Sequence, residues 1–262
     1  MPEFVVSFLG ALNGNADVAI GNVVGSNIFN VLGILGITAI FFPIAVDRKN
    51  MRFELPLCIF VSVLLLLLTF NCFNGSASSL ARLDGILLLL VFALYMLYSF
   101  ARDRKETAVA ADNGDGGSLL KAVLKVVGGL ALLITSCDFF VDNAVSVAKS
   151  FGVDNAFISL TLIACGTSLP ELAASLVAAA KKNTQLALGN VIGSNIFNLS
   201  LILGTASQIT PLTSSGITFI DYAVMIFATI TPLVLGIKGK LNRWTGAFMF
   251  LCFVAYNAYL IS

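Results

Sequence analysis

The sequence predicts an all-α polytopic membrane protein built from two inverted repeats, and three observations carry that prediction. First, 58% of the 262 residues are hydrophobic, 11% are charged and mean hydropathy is +0.96. Soluble domains carry about 25% charged residues. Second, the segment Gly21 to Asn30 (GNVVGSNIFN) returns 168 positions later as Gly189 to Asn198 (GNVIGSNIFN), with nine of ten residues identical. A Pro-Glu pair lies 19 positions ahead of each copy, at Pro2-Glu3 and Pro170-Glu171, and 19 of 43 aligned positions agree. Third, the basic residues fall into alternate loops, as a chain threading a bilayer requires.

The spans follow in order, each complete one holding about 20 mostly apolar residues. They are A (2–13, partial), B (18–42), C (54–71), D (82–101), E (119–149), F (155–180), G (186–209), H (217–237) and I (243–261). The polar, Gly-rich stretch 102–118 separates two halves, 1–101 and 119–262. Of the 15 Lys and Arg, thirteen lie in or beside loops B–C, D–E, F–G and H–I, and only Arg82 and Lys149 lie on the other side. The first side is therefore expected to be cytoplasmic, with 102–118 as a cytoplasmic linker and the C-terminus external. The first repeat starts in span A and the second in span F, five spans later. Five is odd, so the copies cross in opposite directions. Inverted repeats of this kind build secondary transporters, with the site near the bilayer midplane.

Within each copy the polar residues pick out a candidate site. Pro170 in span F lacks an N–H and is expected to break its helix, freeing carbonyls such as those of Ala164 and Thr167. Hydrocarbon cannot satisfy a freed carbonyl, whereas a cation can. Glu171 adds a carboxylate, and Glu3 is its image. An ionisable residue inside a membrane is costly and reads as functional. Ser194 and Asn198 in span G stand at i and i+4 on one helical face, repeated by Ser26 and Asn30 in span B. Such oxygen-only donors suit a hard cation, Ca2+ or Na+.

Plainer readings account for other residues. Gly21, Gly25, Gly189 and Gly193 suit close helix packing, and Asn22, Asn27, Asn190 and Asn195 suit bonds across helices. Asp84 and Asp221 open spans D and H, where a helix N-terminus favours a carboxylate. Asp138 and Asp142 sit toward the external end of span E and suit water or a polar cavity. The five Cys lack metal-ligand spacing and read as small core residues. A net charge of +1 offers nothing to nucleic acid, and the absence of His removes Ser-His catalysis and His-ligated metals. No GxGD motif supports an intramembrane aspartyl protease, so no enzyme is expected.

The paired GNV-x-GSNIFN segments, each preceded by Pro-Glu, resemble the two alpha-repeats of the sodium/calcium exchanger family, within the cation/calcium antiporter superfamily. The chain fits that ten-helix architecture from its second helix onward, and is most similar to the short bacterial calcium/sodium antiporters. The resemblance implies a multi-pass protein of a bacterial inner membrane that exchanges Na+ for Ca2+ by alternating access. Both ions are cargo, the bilayer is its other partner, and no resident cofactor is implied. Glu3 and Glu171 match the central cation-binding glutamates, Thr167 a carbonyl donor and Ser168 a Na+ ligand. Ser26, Asn30, Ser194 and Asn198 match the polar side chains of the partner helices. An H+-coupled exchanger, or one for another divalent cation, is the alternative within the same superfamily. Met1 aligns with Leu169, and residues 118–168 have no counterpart in the first half, so internal symmetry leads one to expect a longer protein. Asn stands at both 30 and 198, where some branches of the family place Asp at one of them.

Overall fold

The structure, a computed structural model, describes residues 2–47, 50–70, 79–107, 155–213 and 216–261, with scattered positions from 128 to 152. Among them the protein is mostly helical. Span A is the helix Pro2–Leu12, and span C is a π-helical turn Asn50–Glu54 running into Leu55–Thr69. Span D is Arg82–Thr107, span H is Phe219–Leu235 and span I is Arg243–Ile261. Span E lies largely outside the described residues, as do Asp138, Asp142 and the linker from 108.

Spans B and G form the centre. Each is a long rod interrupted in the same place: α-helix Ala16–Ile28, π-helix Phe29–Leu35 and α-helix Gly36–Phe41 in B. In G the order is α-helix Thr184–Phe197, π-helix Asn198–Ile202 and α-helix Leu203–Ile209. Equivalent residues start them. Asn15 accepts from the Val18 amide at 3.2 Å and Asn183 from the Leu186 amide at 3.1 Å, so each rod begins on an Asn cap. Burial separates centre from rim. In the apolar window of Ala16–Phe41, 89% of residues are buried, against 28% in Met51–Thr69 and 11% in Arg82–Ala101. The helices of spans C and D therefore show apolar residues such as Phe60, Leu90 and Leu94 to the outside, as a lipid-facing rim does.

Four described helices are long and apolar enough to cross a membrane, or five when the bent pair of span F counts as one. Contacts between loops agree with the alternation read from the basic residues. Ile44–Ala45 pairs antiparallel with Lys240–Leu241, joining loops B–C and H–I, and the Ala45 amide donates to Thr184 Oγ1 of loop F–G at 3.2 Å. On the other set, Ser79–Leu80 pairs with Leu212–Thr213, and the Gly216 amide donates to Asp17 Oδ1 at 3.0 Å. Each contact joins loops assigned to one side.

The two aspartates at helix starts act as caps. Asp84 Oδ2 accepts from the Ala81 amide at 2.8 Å. Asp221 closes a capping box with Thr218, and its Oδ1 accepts from the Tyr256 hydroxyl at 2.7 Å.

Candidate cation site

Span F breaks where a broken helix was expected, but at Ser168 rather than at the proline. The stretch Leu160–Thr167 meets Leu169–Ala180 at 49°. Ser168 leaves helical geometry (φ −93°, ψ 5°), and Pro170 falls in the first turn of the new helix. A missing N–H is harmless there, because first-turn amides have no intrahelical acceptor. The Ala164 carbonyl is less free than expected. It accepts from the Ser168 amide, from Thr167 Oγ1 and from Ser26 Oγ, all at 3.3 Å. These long bonds hold an oxygen at the crossing of spans B and F.

The first copy is tightly enclosed. Glu3 is 1% exposed, and its Oε1 accepts from Ser168 Oγ at 3.0 Å. Asn22 donates to the Glu3 carbonyl at 3.1 Å and to Ser7 Oγ at 2.9 Å, while its Oδ1 accepts from Thr167 Oγ1 at 3.1 Å. The second copy repeats the donor pattern: Asn190 donates to the Glu171 carbonyl at 3.4 Å and to Ser175 Oγ at 3.1 Å. Each asparagine thus anchors the helix that carries its own repeat's glutamate. Their reading as residues that bond across helices holds, and Ser7 and Ser175, not singled out from the sequence, are their shared partners.

Glu3 meets Ser168, three residues ahead of Glu171 in the chain. Glu171 is half-buried, and its Oε2 is buried without a hydrogen-bond partner. Asn30 Oδ1 and Asn27 Oδ1 are likewise buried and unpartnered. A surplus of buried oxygens is costly in a low-dielectric interior unless a positive charge joins them. Glu171, Ser194 and Asn198 line a cavity of about 340 Å³ together with Gly189, Asn190, Gly193 and Phe197. Ser194 Oγ donates to its own Asn190 carbonyl at 2.8 Å.

The structure therefore links Glu3 with Ser168, links Ser26, Ala164 and Thr167, and lines one cavity with Glu171, Ser194 and Asn198. Asn30 joins the assembly through Asn195, to which its Nδ2 donates at 2.9 Å. The sequence assigns Asn195 only a helix-bridging role. The π-helical turns beginning at Phe29 and Asn198 were not visible in the residues either, because a π turn shares the composition of an α turn. They matter because Asn30 and Asn198 sit in the widened turns, a setting common at functional sites.

The profile described as sodium/calcium exchanger protein matches residues 1–101 and 121–262. The sodium/calcium exchanger MaX1 of Methanosarcina acetivorans is 28% identical over 98% of this chain and 83% of its own length. The inner membrane protein YrbG of Escherichia coli is 35% identical over 88% of this chain and 72% of its own. Among solved structures, the sodium-calcium exchanger NCX_Mj soaked with Na+ and Sr2+ superposes with a TM-score of 0.78. It is 28% identical and covers 98% of this chain and 82% of that one.

Proposed function

The chain belongs to the sodium/calcium exchanger protein family, an integral membrane family that exchanges Na+ and Ca2+, and from that premise we propose that it carries Ca2+ against Na+ by alternating access, with Glu3 and Glu171 as the charge of one central site. The observation that carries this reading is the excess of buried oxygens. Glu171 Oε2 and Asn30 Oδ1 are buried without partners, and a second carboxylate, Glu3, accepts a bond from Ser168, three residues ahead of Glu171 in the chain. Ser26, Thr167, Ser168, Ser194, Asn198 and the Ala164 carbonyl complete the oxygen set. No covalent chemistry is involved.

Charge supplies the mechanism. With both glutamates ionised, the empty site holds two negative charges. Sealing it from water costs several kcal/mol per unpaired ion. One Ca2+ or more than one Na+ relieves that cost, so only loaded forms cross between the two faces. Obligatory exchange follows, since an unloaded site cannot return. The bundle of spans A, B, F and G, tied together across the two halves 1–101 and 119–262 by the Glu3–Ser168 and Asn30–Asn195 bonds, is the body that rocks against the other helices, with 102–118 as a cytoplasmic linker. An inward Na+ gradient then drives Ca2+ outward across the inner membrane.

Glu171→Gln removes one of the two charges while keeping the shape. Na+-driven uptake of radioactive Ca2+ into inverted vesicles is expected to fall to background, and uptake near wild type would take Glu171 out of the site. Uptake that follows a pH gradient and ignores Na+ would favour proton coupling. Cysteine labelling is expected to place residue 110 in the cytoplasm and Ser262 outside. Finding both on one side would break the inverted arrangement.

A further inference from the structure

We propose that Asn195 is a positioning residue of the cation site, fixing which end of the Asn30 amide meets the ion; this rests on the cation-site reading above. Asn195 Nδ2 lies 3.2 Å from the Asn27 carbonyl. A carbonyl oxygen only accepts, so the end of Asn195 facing it must be the NH2 group. The other end of Asn195 is then an oxygen, and it stands 2.9 Å from Asn30. An oxygen there demands a donor, so Asn30 turns its own NH2 toward Asn195. Its Oδ1 is left buried with no partner. Asn195 and Asn30 are both fully buried, so no water competes for this order. One backbone carbonyl in span B thereby dictates, through one amide in span G, that span B offers an oxygen to a cation.

The two-fold image of this arrangement is not made. Asn27 Nδ2 folds back on its own Val23 carbonyl at 2.7 Å instead of crossing to span G. Asn198 Nδ2 and Asn27 Oδ1, the donor and acceptor that would form the image bond, are both buried and unpartnered. Only one of the two equivalent asparagines of the site is held, so the clamp belongs to Asn195 rather than to repeat symmetry in general.

Without Asn195, the Asn30 NH2 would be a buried donor with no partner in a site holding carboxylates. Charge-assisted bonds to carboxylates are the strong ones. The amide would rotate toward the carboxylates and compete with the ion. Groups that orient a metal ligand typically change affinity by about 10–100-fold when removed.

The test measures Na+-driven Ca2+ uptake by the 262-residue chain in inverted vesicles, reading KM for Ca2+ separately from maximal rate. Asn195→Ala is expected to raise KM by about 10-fold or more with a smaller change in maximal rate. Asn30→Ala should raise KM as well, and adding Asn195→Ala to it should add nothing, because Asn195 acts through Asn30. Asn30→Asp should rescue Asn195→Ala, since a carboxylate presents oxygen whichever way it turns. An unchanged KM in Asn195→Ala, effects that multiply in the double variant, or failure of the Asp rescue would each overturn the proposal. Should Asn195→Ala not accumulate in the membrane, Asn195→Ser, too short to reach both partners, carries the same expectation and the same refutation. If Asn30→Ala itself leaves KM unaltered, the cation-site reading fails, a result distinct from an Asn195 that matters to nothing while Asn30 does.

Discussion

Asn22 and Asn190 occupy equivalent places in the two repeats and donate to equivalent partners, yet one is enclosed and the other opens onto a cavity. The first adds a bond from Thr167 Oγ1, and its donor distances are 3.1 and 2.9 Å against 3.4 and 3.1 Å in the second. The difference comes from what lies over each copy. Span F crosses span B at Gly25, where an added Cβ would stand 2.2 Å from the Leu160 carbonyl oxygen and 2.7 Å from Ala164 Cβ. At Gly193, the image of Gly25, the nearest neighbour among the described residues is Tyr95 Oη at 4.0 Å. Asn22 and Asn190 thus make the same donor bonds in two environments, whereas Ser26 and Asn27 bond differently from Ser194 and Asn195. The asparagine anchor belongs to the repeat, and enclosure belongs to its neighbour.

The largest effect expected from this contrast is at the two glycines. Gly25→Ala forces a methyl against backbone, which has no rotamer to yield, and overpacking of this kind costs about 1–3 kcal/mol. Gly193→Ala meets no described residue closer than Tyr95 and gains helix propensity, up to about 1 kcal/mol. Thermal unfolding in detergent should show a clear loss for the first and none for the second. Equal losses would mean that the second copy is covered as closely as the first.

The asparagines should show a smaller split. Asn22→Ala leaves buried partners on Glu3, Ser7 and Thr167 without their bonds, at about 1–3 kcal/mol. Asn190→Ala breaks longer bonds on a part-buried side chain that lines the cavity, and about 1 kcal/mol or less is expected. The same melting measurement decides, and a reversed order would put the tighter site in the second copy.

How much of this was legible in the residues depends on the kind of interaction. The mostly helical architecture and the break in F were readable because a bilayer demands long apolar runs and tolerates Glu171 or Pro170 only for cause. The carboxylates and the Ser/Asn positions could be singled out because the duplication preserved polar residues where lipid alone would retain apolar ones. The break lies at Ser168 rather than Pro170 because a proline fits the first turn of a helix, and Thr167 and Ser168 at the break donate to Asn22 and Glu3. The Asn195–Asn30 clamp was illegible: the residues mark Asn195 as bridging helices and Asn30 as a site donor, and only coordinates say that the two meet and which end faces which.

The smallest expected effect concerns the turn that leads into each rod. Gly14 and Lys182 are repeat images, and both adopt left-handed backbone, with φ of +69° and +63°. Both turns are tied alike: Asn15 N bonds the Gly10 carbonyl at 2.8 Å, and Asn183 N bonds the Ala178 carbonyl at 2.9 Å. Glycine adopts that conformation without penalty, whereas a Cβ there costs about 1 kcal/mol. Lys182→Gly should therefore stabilise the second turn by up to about 1 kcal/mol, and Gly14→Lys should destabilise the first by a similar amount, both read as shifts in unfolding midpoint. The strained lysine has a compensation that glycine cannot offer. Lys182 lies in loop F–G, among the basic residues that set orientation, whereas Gly14 lies in loop A–B on the side with few charges. Lys182→Gly combined with Lys181→Gly should then melt no earlier than wild type yet weaken the orientation bias, visible as a fraction of chains whose residue 110 labels from outside. If Lys182→Gly instead lowers the melting point, the lysine side chain makes a stabilising contact that outweighs its backbone strain, and the two turns differ in more than their residue.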